Sequence, residues 1–262
     1  MNKLIKKLSL ALTFTLMFST AAYAEAGLNL DKKEELKEEL TQQYQNDEEF
    51  QIEKEELGEE IGQEMIDYMA ERTLQRPPIR VKRSGNGSIF LVDIPYVKQI
   101  NGYYCGPASV LQTLYAMNKE DEVSGSSDSS KQKTLGNSMG TKSGMGTYVY
   151  KVKNEINKYS DNDYVYKKGS DMTIDDFEDN LTYSLMYDAA PILHSKTKYL
   201  GYYNGKNLGH YINVDFINRS GDDVGLMDCN YDSDYSGHRD VSLEEAYNAI
   251  SKESERYLIY LP

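Results

Sequence analysis

The chain reads as an α+β protein, and three observations predict that class. Apolar residues recur at helical spacing through most of the first 190 positions, and period-two alternation clusters after them. The 262 residues suffice for one core with additions. An acidic helical region precedes the mixed domain, so the expected organisation is 1–24, 25–76, 77–88 and 89–262.

Residues 1–24 have the three parts of a secretory signal. Lys3, Lys6 and Lys7 come first, an apolar run from Leu8 to Phe18 follows, and Ala22-Tyr23-Ala24 supplies small residues for cleavage. That run is shorter than the roughly 20 residues a spanning helix needs. The expectation is a secreted, extracytoplasmic chain starting near Glu25, with no membrane anchor.

Residues 25–76 hold 17 acidic and 6 basic residues, which accounts for most of the net charge of −13. Leu36, Leu40 and Tyr44 are spaced by four, as are Leu57, Ile61 and Met65, with Ile66 and Met69 continuing the second stripe. Two amphipathic helices are predicted, broken near Gln45-Asn46-Asp47. Two roles fit such a piece: a pro-region that inhibits the following domain in cis, or a solvated arm. The connector around Pro77, Pro78 and Gly85 is a linker by composition, and Lys82-Arg83 offers a cleavage site. With no basic stripe in so acidic a chain, a nucleic-acid partner is not expected. Twenty-three tyrosines and no tryptophan constrain nothing functional by themselves.

The mixed domain opens with a strand-like run, Ile89 to Val97, which delivers the chain to Gln99. A turn at Asn101-Gly102 leads to Cys105. Gly106-Pro107 then opens a helix with Val110, Leu111, Leu114 and Tyr115 on its apolar face. A cysteine at a helix N-terminus meets unpaired N–H groups and the positive dipole end, which favour a thiolate. Gln99 lies close enough in sequence to donate to a developing oxyanion beside the backbone N–H of Cys105.

Residues 120–146 show no periodicity and read as a long loop, with disorder the safer expectation. Helical spacing returns over 147–159 and 175–187, then Ile192-Leu193-His194 reads as a short strand. A turn-rich loop, 199–208, presents His210. Gly209 to Ile217 alternates like a strand, and Val224 to Asp228 returns as its hairpin partner. Asp228 can then lie beside His210, where a carboxylate fixes the tautomer and steadies an imidazolium. A helix over 241–251 and a strand over 257–260 close the chain. His194 fits a packed position and His238 an exposed one.

Gln99-x5-Cys105-Gly106-Pro107-Ala108-Ser109, then Gly209-His210-Tyr211, then Asp228 resembles the C39 and C39-like cysteine peptidases of papain-like fold, over about residues 90–262. The resemblance implies Cys105 as nucleophile, His210 as general base and acid, Asp228 as orienter and Gln99 as oxyanion donor. It implies a peptide or protein substrate and no cofactor. Many relatives place proline after that aspartate; here it is Cys229. An acyltransferase using the same groups and a non-catalytic binding module remain the alternatives.

No paired ligand spacing supports a metal site, and Asp232, Asp234 and Asp240 lack the glycine and closing glutamate of a calcium loop. A Cys105–Cys229 disulfide would abolish the nucleophile. Strand alternation predicts that Cys229 points away from the face Asp228 uses, leaving two free thiols.

Overall fold

The computed structural model describes residues 20–75, 89–161 and 163–262. The linker 77–88 with Lys82-Arg83, and the signal segment up to residue 19, lie outside them. The strands are β1 (Ile89–Leu91), β2 (Val165–Lys168), β3 (Ile192–Lys196), β4 (Gly209–Asn218), β5 (Asp223–Asp228), β6 (Gly237–Ser242) and β7 (Tyr257–Tyr260). They form one antiparallel sheet ordered β2-β7-β3-β4-β5-β6, with β1 paired to the far end of β4. The helices are α1 (Thr20–Tyr44), α2 (Glu48–Leu57), α3 (Glu59–Gln75), α4 (Cys105–Ala116), α5 (Asp128–Met139), α6 (Val149–Asn157), α7 (Ile174–Met186) and α8 (Leu243–Ser251). This is the α+β architecture the sequence predicts, with helices preceding it.

β4 is the central element. It is buried along nearly its whole length rather than on alternate residues, because α4 and α7 both pack on it. Asn213 is fully buried there and donates to Thr113 Oγ1 at 2.8 Å and to the Ser109 carbonyl at 3.3 Å, which pins α4 to the strand.

The acidic region differs from its expected form in one respect. The break at 45–47 is present, but the second helix is divided at Gly58, whose φ of +105° ends α2. Leu57 therefore belongs to the last turn of α2 and is exposed, while Met65, Ile66 and Met69 of α3 are buried. Together with Leu40, Tyr44 and Phe50 they join the same hydrophobic core as the sheet. Polar contacts fix the register. Glu53, fully buried, pairs with Lys153 Nζ at 2.6 Å and accepts from the Tyr166 hydroxyl at 2.9 Å. The Tyr44 hydroxyl donates to the Tyr166 carbonyl. The arm is packed on the domain, not solvated beside it.

The expected disorder over 120–146 is corrected by α5. Ser127 and Ser130 form a reciprocal capping box at its start, and Gly140, with φ +66°, ends it. Leu135 and Met139 are buried one turn apart. The helix carries Gln132, also fully buried, which accepts from the Ile100 N–H (3.1 Å) and donates to the Lys98 carbonyl (2.8 Å). The supposed loop thus clamps the segment that presents Gln99. β6 is an element the sequence reading missed.

Candidate active site

α4 begins at Cys105 itself, and no side chain caps it. Its first N–H groups are therefore available, and that of Gly106 helps to lower the Cys105 thiol. Gly106 is required by packing: a Cβ there would stand 2.8 Å from Thr147 Oγ1. Tyr211 donates its hydroxyl to the Thr147 carbonyl at 2.8 Å, so the residue after His210 ties β4 to the wall behind the cysteine.

Cys105, His210 and Asp228 come together. His210 Nε2 lies 2.8 Å from Asp228 Oδ1, and the imidazole stands close enough to the Cys105 sulfur to lower that thiol. Cys105 is partly buried, whereas His210 and Asp228 are 4% and 0% exposed. Burial pushes the Cys105 thiol up, but the hydrogen bond and charge of His210 and the N–H groups of Tyr211 and Gly106 outweigh it, so it sits below the usual thiol range. Burial likewise disfavours the His210 cation, yet Asp228 and Tyr203 hold it well above the usual imidazole range. Burial raises Asp228, and His210 with the surrounding donors more than reverses that. The balance favours a thiolate–imidazolium pair.

The surroundings of Asp228 escaped the sequence reading. Tyr202 and Tyr203 each donate a hydroxyl to Asp228 Oδ2 at 2.8 Å, and the Asn230 N–H donates to Oδ1 at 2.8 Å. Asn230 Nδ2 in turn donates to the Tyr203 hydroxyl at 2.9 Å. Tyr202-Tyr203 lies in the turn-rich loop, and nothing in its composition marked it as the carboxylate's cradle.

Gln99 is also at the site. It is 3% exposed, its N–H donates to the Cys229 carbonyl at 2.8 Å, and its Nε2 donates to the Asn101 carbonyl at 2.5 Å. One of its two amide hydrogens is thereby engaged.

Cys229 corrects the alternation argument. β5 ends at Asp228, so Cys229 lies beyond the last paired residue, where strand alternation no longer governs direction. Its sulfur turns toward the site, within 4.8 Å of ligating atoms of His210 and Asp228. Both cysteines are free thiols. The Cys229 sulfur is surrounded by acceptors: the Tyr211 carbonyl at 3.6 Å, the Cys105 carbonyl at 3.7 Å and Gln99 Oε1 at 3.8 Å. Burial pushes this thiol up and outweighs the lowering by His210, so the two sulfurs are shifted in opposite directions. His210, Asp228 and Cys229 have donor types suited to a metal, but His210 and Asp228 bond each other and the third sulfur faces oxygens.

His194 is half-buried and stacks on Tyr211 with centroids 4.5 Å apart. His238 is exposed, as expected, but bonded: Nδ1 to Asp215 at 2.8 Å and Nε2 to Asp240 at 3.0 Å. A pocket of about 300 Å³ opens beside Cys105, lined among others by Thr147, Tyr148, His194 and Arg256, with Glu48, Glu49 and Ile52 contributed by α2. A larger cleft of about 640 Å³ lies at the other end of α4, by Ala116 and Met117, away from the cysteine. Among the described residues no helix is long and apolar enough to cross a membrane.

The chain is similar to a double glycine motif protease from an AMS/PCAT transporter, solved in complex with its leader peptide; identity is 13%, coverage 66% of this chain and 94% of the other, and the TM-score 0.42. It is also similar to a C39-like peptidase from Bacillus anthracis, at 13% identity, 68% and 98% coverage and a TM-score of 0.42. No curated protein sequence matches significantly. The model of the Peptidase_C39 like family matches residues 91–255, well over half of the chain, which places Cys105, His210 and Asp228 inside it; the chain belongs to that family and is a cysteine peptidase.

Proposed function

We propose that the chain is a secreted thiol hydrolase that cleaves peptide bonds through Cys105, His210 and Asp228, and that it is made as a zymogen. The observation that carries the first part is the single imidazole bonded to a carboxylate by one nitrogen while reaching the thiol. In this reading the Cys105 thiolate attacks the scissile carbonyl carbon, and the oxyanion meets the backbone N–H of Cys105 and the remaining Gln99 amide hydrogen. His210 gives its proton to the leaving amine as the C–N bond breaks. It then takes a proton from water, whose oxygen displaces the thiolate from the acyl-enzyme. Asp228 stays ionised and holds the ring, itself held by Tyr202, Tyr203 and the Asn230 N–H.

Secretion is supported by the signal-like composition of residues 1–24. The zymogen reading is supported by α2, which lines the Cys105 pocket with Glu48, Glu49 and Ile52. An arm seated there covers one approach to the sulfur, and the basic linker supplies a place to cut. The test is peptide-library cleavage by wild type and Cys105→Ala, with the N-terminus of the secreted protein read by mass spectrometry. Cleavage lost in Cys105→Ala, and an active form starting within 77–88, is the expected result. Full activity of a chain starting at Glu25 removes the zymogen, and equal activity of Cys105→Ala removes the hydrolase.

A further inference from the structure

The pocket beside Cys105 carries one charge that the protein does not match. Arg256 stands in its wall. Its Nη1 donates to the Glu255 carbonyl at 2.6 Å and to His194 Nε2 at 3.3 Å, and its Nε is buried without a partner. Among the described residues no carboxylate comes within ion-pair distance of this guanidinium. Glu255, next in sequence, is turned elsewhere: it pairs with Lys168 at 3.0 Å and accepts from the Tyr257 hydroxyl at 2.7 Å. Glu255 also adopts φ +56°, a left-handed conformation costly for a residue with a Cβ, and one that persists where surrounding contacts enforce it. His194 offers Arg256 no negative charge. Burial and the charge of Arg256 itself keep its imidazole neutral, so it accepts from the guanidinium and stacks on Tyr211.

The position of this cation matters for chemistry. Arg256 Nη2 lies 3.5 Å from where a Cβ on Gly209 would stand, and Gly209 directly precedes His210. A guanidinium on a pocket wall, partly withdrawn from water, is best completed by a carboxylate, which accepts two N–H bonds in one plane. The docked arm brings acidic residues to the same pocket. Glu49 is taken up by the Tyr150 N–H at 3.4 Å, which leaves Glu48 at the exposed rim.

We infer that this pocket is a subsite for a carboxylate of the substrate close to the scissile bond, read by Arg256, which the docked arm narrows without supplying a carboxylate to the guanidinium. The inference deepens the hydrolase reading and rests on it. It names the substrate class as peptides acidic beside the cleaved bond.

The experiment uses the chain as secreted, and the full chain nicked at a protease site inserted within 77–88. Matched peptides with Glu or Gln at each position flanking the scissile bond are compared, each as free acid and as C-terminal amide. At one position Glu is expected to exceed Gln by about tenfold or more in kcat/KM, the scale of a charge-assisted bond. A Glu-to-Gln ratio that survives amidation assigns the carboxylate to a side chain; Glu and Gln alike as free acids, with both falling on amidation, assigns it to a chain terminus. Arg256→Gln should erase the ratio and Arg256→Lys keep part of it, with the rate of Cys105 alkylation unchanged in both. Equal cleavage of all acidic and neutral peptides, or a preference that survives Arg256→Gln, overturns the subsite and leaves the hydrolase standing. Cleavage of none of them by either form overturns the hydrolase, and the subsite with it.

Discussion

Cys105 and Cys229 show how two thiols near one imidazole acquire opposite characters. The His210 cation lowers both thiols, but Cys105 also has N–H groups facing it, whereas Cys229 has three oxygen acceptors and is fully buried, so only the first ends below its ordinary range. The pH dependence follows with a definite sign. The Cys105 thiol is lowered, so its thiolate persists below the ordinary thiol range; the His210 cation is raised, so it persists above the ordinary imidazole range. Alkylation of Cys105 by iodoacetamide should therefore remain fast near pH 6 to 7, where an ordinary thiol with a pKa of about 8.5 reacts slowly. In His210→Ala the burial effect is opposed only by the N–H groups of Tyr211 and Gly106, and the alkylation profile should move to alkaline pH. An unchanged profile in that variant sinks the ion pair. The tyrosines under Asp228 give a second residue-scale prediction. Tyr203→Phe removes one hydroxyl from Oδ2 and leaves Asn230 Nδ2 without its acceptor; the bond to the carboxylate alone, at about 1 kcal/mol, should lower kcat roughly fivefold. Tyr202→Phe, which removes a single bond, should cost no more than that.

At the scale of elements, what was legible had strong local chemistry. The Gly-Pro start of α4 and its apolar spacing announced a helix with cysteine at its tip, and the alternation around His210 announced β4. The turn before Asp223 made β5 its return strand, so three of the residues that meet could be named in advance. α5 was not legible, because its surface is serine, lysine and glycine and only Leu135 and Met139 are core-facing apolar residues. Its signals were short-range ones, serine at both capping positions and glycine at the left-handed end. Cys229 was misread for a related reason: alternation holds only within a strand, and the strand stops one residue earlier. α5 also carries an element-scale prediction. Gln132 holds the Lys98 carbonyl and the Ile100 N–H from a fully buried position, and both lie beside Gln99. Gln132→Ala leaves these groups unpaired, at a cost of about 1–3 kcal/mol. The expected result is a lower unfolding midpoint together with a reduced kcat, while the rate of Cys105 alkylation changes little. A fall in midpoint with kcat intact means the clamp does not position Gln99.

For the whole molecule the question is what holds the arm, and when it leaves. Its apolar face is continuous with the domain core, and Glu53 and Lys153 form a pair with side chains 1% and 5% exposed. Removing one partner of such a pair leaves a buried charge, so Glu53→Ala should weaken docking by about 3–5 kcal/mol. The acidic groups at the start of α2 add a pH dependence. Burial raises Glu49 from 4.5 to about 7 despite the N–H groups of Val149 and Tyr150, and burial also raises Asp47. A carboxyl raised in the docked state binds its proton more tightly there than when the arm is free. Its contribution to docking is therefore complete below the free-state value, declines as pH rises between 4.5 and 7, and is lost above that. The arm should sit more firmly at pH 5 than at pH 8, and cutting the linker should release activity more readily at the higher pH. Glu49→Gln carries no titrating proton and keeps an acceptor oxygen for the Tyr150 N–H, so it should flatten that difference without abolishing docking. Hydrogen exchange of α2 at the two pH values, in wild type and in Glu49→Gln, reads this directly. Faster exchange in wild type at pH 5 than at pH 8, after correction for the intrinsic rates, reverses the predicted sign and rules out Glu49 as its source.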